Sequence, residues 1–170
     1  IASAVVFYFS KFSDHSSPFD EAMNNITTVD EHVKNGFNLF MSKAKCGTCH
    51  FVPQFNGVKP PFVSSEFEVI GTPEDSAFTV LSSDPGRYRQ NPVKETMNAF
   101  RTGSIRNSEH TKPYMHNGVF FSLEQVIDFY NAGGGAGRNL TVTNQTLSSD
   151  SLHLTDAEKS DLILFIKSLS

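Results

Sequence analysis

Two cysteines and a histidine fall within five consecutive positions, Cys46-Gly47-Thr48-Cys49-His50, and no other cysteine occurs in the 170 residues. The C-x-x-C-H spacing is the signature of c-type haem attachment. Two thiols at that separation can add to the vinyl groups on adjacent edges of a porphyrin. The imidazole that follows then lies beneath the iron on the same helical turn, where ligand, hydrogen bonding and burial together set the potential. The expectation is one covalent haem c, tethered through Cys46 and Cys49 with His50 as axial ligand, and electron transfer through it. A thioredoxin-like pair needs a βαβ setting, which is absent, and a zinc site needs more ligands at motif spacing than the scattered His110, His116 and His153.

His50 also needs an acceptor for its other ring nitrogen, ordinarily a backbone carbonyl. Pro53 is the candidate neighbour, because a Pro-flanked turn can aim a carbonyl back at the ring. A plain turn proline is the alternative.

These residues must be held by helices. A helix is expected from Thr28 or Asp30, with an acidic first turn, running through Val33, Gly36, Phe37 and Phe40 toward Lys45. The box Thr155-Asp-Ala-Glu158 opens a last helix with the apolar stripe Leu162, Phe165, Ile166 and Leu169. Gly36 predicts close approach of these two helices. Ser122, with Gln125 at the box position, opens a short helix over 122–130 that Gly133-Gly134-Gly135 stops. Residues 1–12 carry a helical stripe of Ile1, Val5, Phe9 and Phe12, ended by Ser16-Ser17-Pro18. This segment is expected to pack on the rest of the chain or on a missing N-terminal half. Residues 51–95 have little periodicity, and a structureless stretch of that length calls for a function such as wrapping a cofactor.

Composition narrows the class. A formal net charge of −4 with 19% charged residues offers no basic field for nucleic acid and no polybasic membrane patch. Sixteen Phe and no Trp suit an apolar core beside a macrocycle. The apolar start, residues 1–9, is too short to span a bilayer and lacks the features of a signal peptide. Haem c attachment belongs to the exported side of a bacterial membrane, so the chain reads as a fragment of an exported, periplasmic protein. The expected fold class is all-α, a cytochrome c-type domain with long loops wrapping the haem. Residues 1–27 form an N-terminal helix and connection, and 28–170 the cytochrome c domain.

Further segments resemble one family, the bacterial di-haem cytochrome c peroxidases and the related methylamine-dehydrogenase maturation enzymes. Asp84-Pro-Gly-Arg-Tyr88 looks like that family's D-P-G-R-Y loop. Phe100-Arg-Thr-Gly-Ser-Ile-Arg-Asn107 is similar to F-K-T-P-S-L-R-N, and Thr111-Lys-Pro-Tyr-Met-His-Asn-Gly118 to T-x-P-Y-M-H-D-G. Leu123-Glu-Gln-Val-Ile-Asp-Phe-Tyr130 with its following glycines matches L-E-E-V-V-D-F-Y-N-R-G-G, and Ser17-Pro-Phe-Asp20 and Leu154-Thr-Asp-Ala-Glu158 agree as well. The sequence departs from the pattern at Gly103, where Pro is usual, and at Asn117, where Asp is usual. It resembles only the second half of the family, since the N-terminal domain with the peroxide-reducing haem is absent.

The resemblance implies an electron-relaying half whose partners are that N-terminal haem domain, a small cytochrome or copper protein as donor, and hydrogen peroxide as oxidant of the whole enzyme. A homodimer is compatible with this. In the peroxidases a Met lies fourteen residues beyond the His of P-Y-x-H, and the same count from His116 arrives at Tyr130, as in the maturation branch, where Tyr is a haem ligand. Met115 is the alternative sixth ligand, and water or an open site a third. Arg106 and Arg101 resemble residues flanking the haem edge, where a guanidinium could pair with a propionate; solvated surface arginines are the alternative. Calcium is implied at the domain junction, partly through the backbone carbonyls of Thr111 and Pro113. A free-standing mono-haem carrier and a maturation-type oxidase with a His/Tyr-ligated haem are the competing functions.

Overall fold

The helix leading to the C-x-x-C-H motif starts where its sequence says it should. Asp30 accepts from the His32 N–H at 2.8 Å, and the helix α3 runs Glu31–Met41. In the computed structural model, which describes residues 1–10, 16–62 and 64–170, the other helices are α1 (Ala2–Ser10), α2 (Pro18–Met23), α4 (Leu123–Asn131), the single turn α5 (Gly134–Gly137) and α6 (Asp156–Lys167). Reciprocal capping boxes open α4 (Ser122 with Gln125) and α6 (Thr155 with Glu158), as the spacing predicts. Ser17-Pro18 does more than end the first helical segment. Ser17 and Asp20 form a third capping box, with Pro at the first helical position, and start α2.

The α3–α6 pair is the frame. Gly36 is buried where α3 crosses α6, and a Cβ there would overlap the carbonyl oxygen of Asp161 and come within 2.7 Å of the Phe165 Cβ. Leu162, Phe165 and Ile166 are buried on the facing side. Phe165 sits among four rings, with centroids of Phe19, Phe37, Phe40 and Phe55 between 5.2 and 5.7 Å from its own. Tilted and edge-on packing at this spacing is the favoured arrangement of aromatic quadrupoles. Phe19 thus ties α2 into the same core as α3 and α6. A second cluster, Phe78, Phe120 and Phe129, lies under α4.

The regular structure is mainly helical with little sheet, as expected, and loops make up much of the rest; one small ladder is present, in which β1 (Phe67–Glu68) pairs antiparallel with β2 (Phe100–Arg101), Glu68 opposite Phe100. The described residues of segment 51–95 are otherwise turns, isolated bridges and short 3-10 helices at Arg87–Arg89 and Lys94–Thr96. In α1, Val5, Val6, Phe7 and Tyr8 are exposed. Phe12 and the side chain of Phe9, both assigned to the first stripe, lie outside the described residues. No helix among the described residues is long and apolar enough to cross a membrane.

Candidate haem-attachment site

Cys46-Gly47-Thr48 forms a single 3-10 turn entered through Lys45 in the left-handed region. The Cys49 and His50 N–H groups both donate to the Cys46 carbonyl, at 3.2 and 2.9 Å, which puts both thiols and the imidazole on one turn. Cys46 and Cys49 are free thiols. Burial pushes Cys46 up to about 12 and raises Cys49, where nearby Glu68 adds to the effect.

The Nδ1 of His50 lies 3.0 Å from the Phe55 carbonyl oxygen. A carbonyl can only accept, so Nδ1 carries the proton and Nε2 the lone pair, the form in which imidazole binds a metal. Burial lowers the pKa of His50, against the pull of the Phe55 and Gly103 carbonyls and Glu68. Phe40, fully buried, has its ring centroid 6.3 Å from the imidazole. Two neutral thiols and a tautomer-fixed imidazole on one turn fit covalent haem with axial histidine.

Pro53 is therefore corrected. The Pro-flanked turn does aim a carbonyl at His50, but it belongs to Phe55, whose φ of 48° swings it back. The Pro53 carbonyl instead accepts from Arg106 Nε and Nη2, at 3.1 and 2.8 Å. Arg106 is corrected too. Its guanidinium binds Asp20 bidentately, at 2.7 and 2.8 Å, with only 8% of its side chain exposed. It is not a solvated surface arginine, because Asp20 and Pro53 engage its guanidinium. Arg101 is exposed, donates to Ser65 Oγ at 3.1 Å, and lines a surface pocket with Arg87, Arg89, Phe67 and Phe100.

Tyr130 ends α4 partly buried, edge-on to Phe129 at 5.5 Å. Burial raises its pKa, and the charges of Cys46, Cys49 and Glu68 add to the effect. Met115 sits at φ 70° in a turn closed by Gly118 N–H to its carbonyl at 3.3 Å, and its sulfur makes no hydrogen bond among the described residues. Thr111 and Pro113 are exposed, and among the described residues no three His, Cys, Asp or Glu side chains gather into a metal site. Two carbonyls fall short of the roughly six to eight oxygens calcium takes, so these residues alone do not make the site.

Glu68 is the residue that sequence reasoning missed. It recurs among the groups acting on Cys49, His50 and Tyr130. A two-residue strand has no alternation to betray which way a side chain points. Asn117 explains its own departure from the family pattern: its amide donates to the buried Pro73 carbonyl at 2.8 Å, which a carboxylate could not do.

A helical frame presenting two thiols and a tautomer-fixed imidazole on one turn defines a c-type haem-binding domain. No family model matches the chain. Among curated proteins it is 33% identical to the cytochrome-c peroxidase IdrP1 of Pseudomonas sp. (strain SCT), over 90% of this chain and 44% of that protein. It is 30% identical to the methylamine utilization protein MauG of Methylorubrum extorquens, over 90% of this chain and 39% of that one. Among solved structures, a MauG-like protein associated with microbial copper homeostasis aligns with TM-score 0.72 at 24% identity, over 92% of this chain and 48% of that one. The chain belongs to the family of di-haem cytochrome c peroxidases and MauG proteins, and it spans less than half the length of the curated relatives it matches.

Proposed function

We propose that this chain is the C-terminal haem c electron-transfer half of a di-haem peroxidase, working in the periplasm. In this reading it takes electrons from a small redox protein and passes them to a peroxide-reducing haem held by the other half. The observation that carries it is the single attachment turn, with His50 fixed through Phe55. One haem motif in a chain that covers under half of its di-haem relatives supports assigning the second haem to the remainder.

Haem c, when bound, would supply a one-electron couple. Cys46 and Cys49 would tether it, and His50 would offer its Nε2 lone pair while Phe55 holds Nδ1–H. Phe40 packs its ring 6.3 Å from the imidazole. Tyr130 favours a second reading, the MauG-type oxidase. A phenol oxygen at the sixth position stabilises ferric iron and lowers the potential, where a thioether such as Met115 raises it. Calcium at Thr111 and Pro113 belongs to either reading only if the other half completes the shell.

The test is expression with haem-attachment machinery on the export side, followed by a pyridine haemochrome and mass. One haem with two thioether links is expected, redox-active alone, with peroxide turnover appearing only in the whole protein. A mass equal to the bare polypeptide would end this reading, and peroxide turnover by the chain alone would refute the division of labour.

A further inference from the structure

Three consecutive carbonyls in the turn after His50 are each held by the same distant segment. The Pro53 carbonyl accepts from the Arg106 guanidinium at 2.8 and 3.1 Å, the Gln54 carbonyl from Ser104 Oγ at 2.7 Å, and the Phe55 carbonyl from the Ile105 N–H at 3.1 Å. Phe55 is also the acceptor of His50 Nδ1–H. Arg106 is anchored in turn by its fork onto Asp20, and its own N–H donates to Ser104 Oγ at 3.2 Å.

We infer that Ser104-Ile105-Arg106 is a brace for the iron ligand, with Arg106 and Ser104 as positioning residues that set the orientation and basicity of the His50 imidazole; this rests on the haem reading above.

The turn needs such a brace. Phe55, a bulky residue at φ 48°, occupies the left-handed region that side chains with a Cβ avoid. Left alone, the backbone would relax to negative φ and swing the carbonyl away from the ring. Fixing the two preceding carbonyls, and bonding the Phe55 oxygen itself to the Ile105 N–H, leaves that oxygen one direction to point. The anchor must itself be rigid, and a largely buried pair with 8% and 14% side-chain exposure is held in one geometry. Such a pair is tolerable only when its donors are well matched, which the bidentate fork and two bonds to Pro53 provide. A lysine keeps the charge but cannot grip Asp20 and Pro53 together. The arrangement also accounts for two segments of the family resemblance, since Ser17-Pro-Phe-Asp20 and Ser104-Ile-Arg-Asn107 supply the two halves of one ion pair. The consequence for the haem is electronic. A firm Nδ1–H···O bond makes imidazole a stronger donor and favours ferric iron.

The experiment compares the unsubstituted haem-loaded chain with Ser104→Ala, Arg106→Lys and Arg106→Gln by haemochrome, ferric spectrum, reduction potential and Tm. All four should hold one haem. The potential should rise in the order Ser104→Ala, Arg106→Lys, Arg106→Gln, with altered ferric bands and partial recovery in the lysine variant. Ser104 is exposed, so its alanine variant keeps the test open if the arginine variants fail to fold. Unchanged potentials and spectra with a lowered Tm would make the cluster purely architectural and overturn the brace alone. Absence of haem from the unsubstituted chain would overturn the brace together with the site.

Discussion

Gly36 meets the main-chain carbonyl of Asp161 with no room for a methyl group between them. Two effects compete in Gly36→Ala. Alanine gains about 1 kcal/mol in a helix interior over glycine. The overlap is with backbone, which cannot rotate aside, so α3 must lift off Phe165 and overpacking costs about 1–3 kcal/mol. Net destabilisation is expected in denaturant unfolding, larger for Gly36→Leu, whereas an unchanged or raised midpoint would contradict the crossing.

Tyr130→Phe keeps the ring against Phe129 and removes the phenol oxygen. In the haem-loaded chain the ferric spectrum should change and the reduction potential should rise, because phenolate favours the ferric state. An identical spectrum, or an iron–sulfur bond to Met115, would remove Tyr130 from the iron.

Glu68→Gln takes a carboxylate away from the neighbourhood of His50 and Tyr130. A unit charge ~10 Å away, at an effective dielectric of ~20, is worth about 1–2 kcal/mol, or on the order of tens of millivolts. The potential should rise by that order without loss of haem. No shift at low ionic strength would place Glu68 outside the site's field.

Burial pushes the Asp20 pKa up, but hydrogen bonds from Arg106 and Ser17 and the Arg106 charge outweigh this and hold it below the usual aspartate range. A depressed folded-state pKa adds stability that is fully present above the unfolded value and disappears as pH falls through the folded one. Asp20→Asn should therefore destabilise the chain at neutral pH and flatten its acid limb below about pH 4. Parallel stability curves for the two proteins across that range would dismiss the linkage.

Asn117→Asp, the family's usual residue, places a carboxylate against the Pro73 carbonyl in place of a donor. Loss of a satisfied buried acceptor costs about 1–3 kcal/mol. Thermal unfolding should show it, and an unaltered Tm would mean that Pro73 finds another donor.

The parts of the site legible in the sequence were those whose meaning is local. The C-x-x-C-H turn, the boxes at Ser122 and Thr155 and the glycine at the crossing each declare themselves within a few residues. Ser17 carried a box of the same kind, but as part of a Ser-Ser-Pro string it read as a terminator. What stayed hidden depends on distance along the chain. Arg106 meets Asp20 across 86 positions, and nothing in either segment says which carboxylate will occupy the guanidinium. Pro53 failed by two residues because the turn's direction hangs on one positive φ at Phe55.

The connections around His50 also imply an order of events. The turn that presents both thiols closes between Cys46 and His50, so a chain still without tertiary structure can form it within the time of a single loop closure. The acceptor for Nδ1 is also nearby in sequence, but the clasp on that acceptor joins partners about fifty positions apart. Contacts of that separation are entropically late. A haem attached at Cys46 and Cys49 would therefore meet a turn able to form before the fold closes, and the clasp that would orient His50 toward its iron would close later.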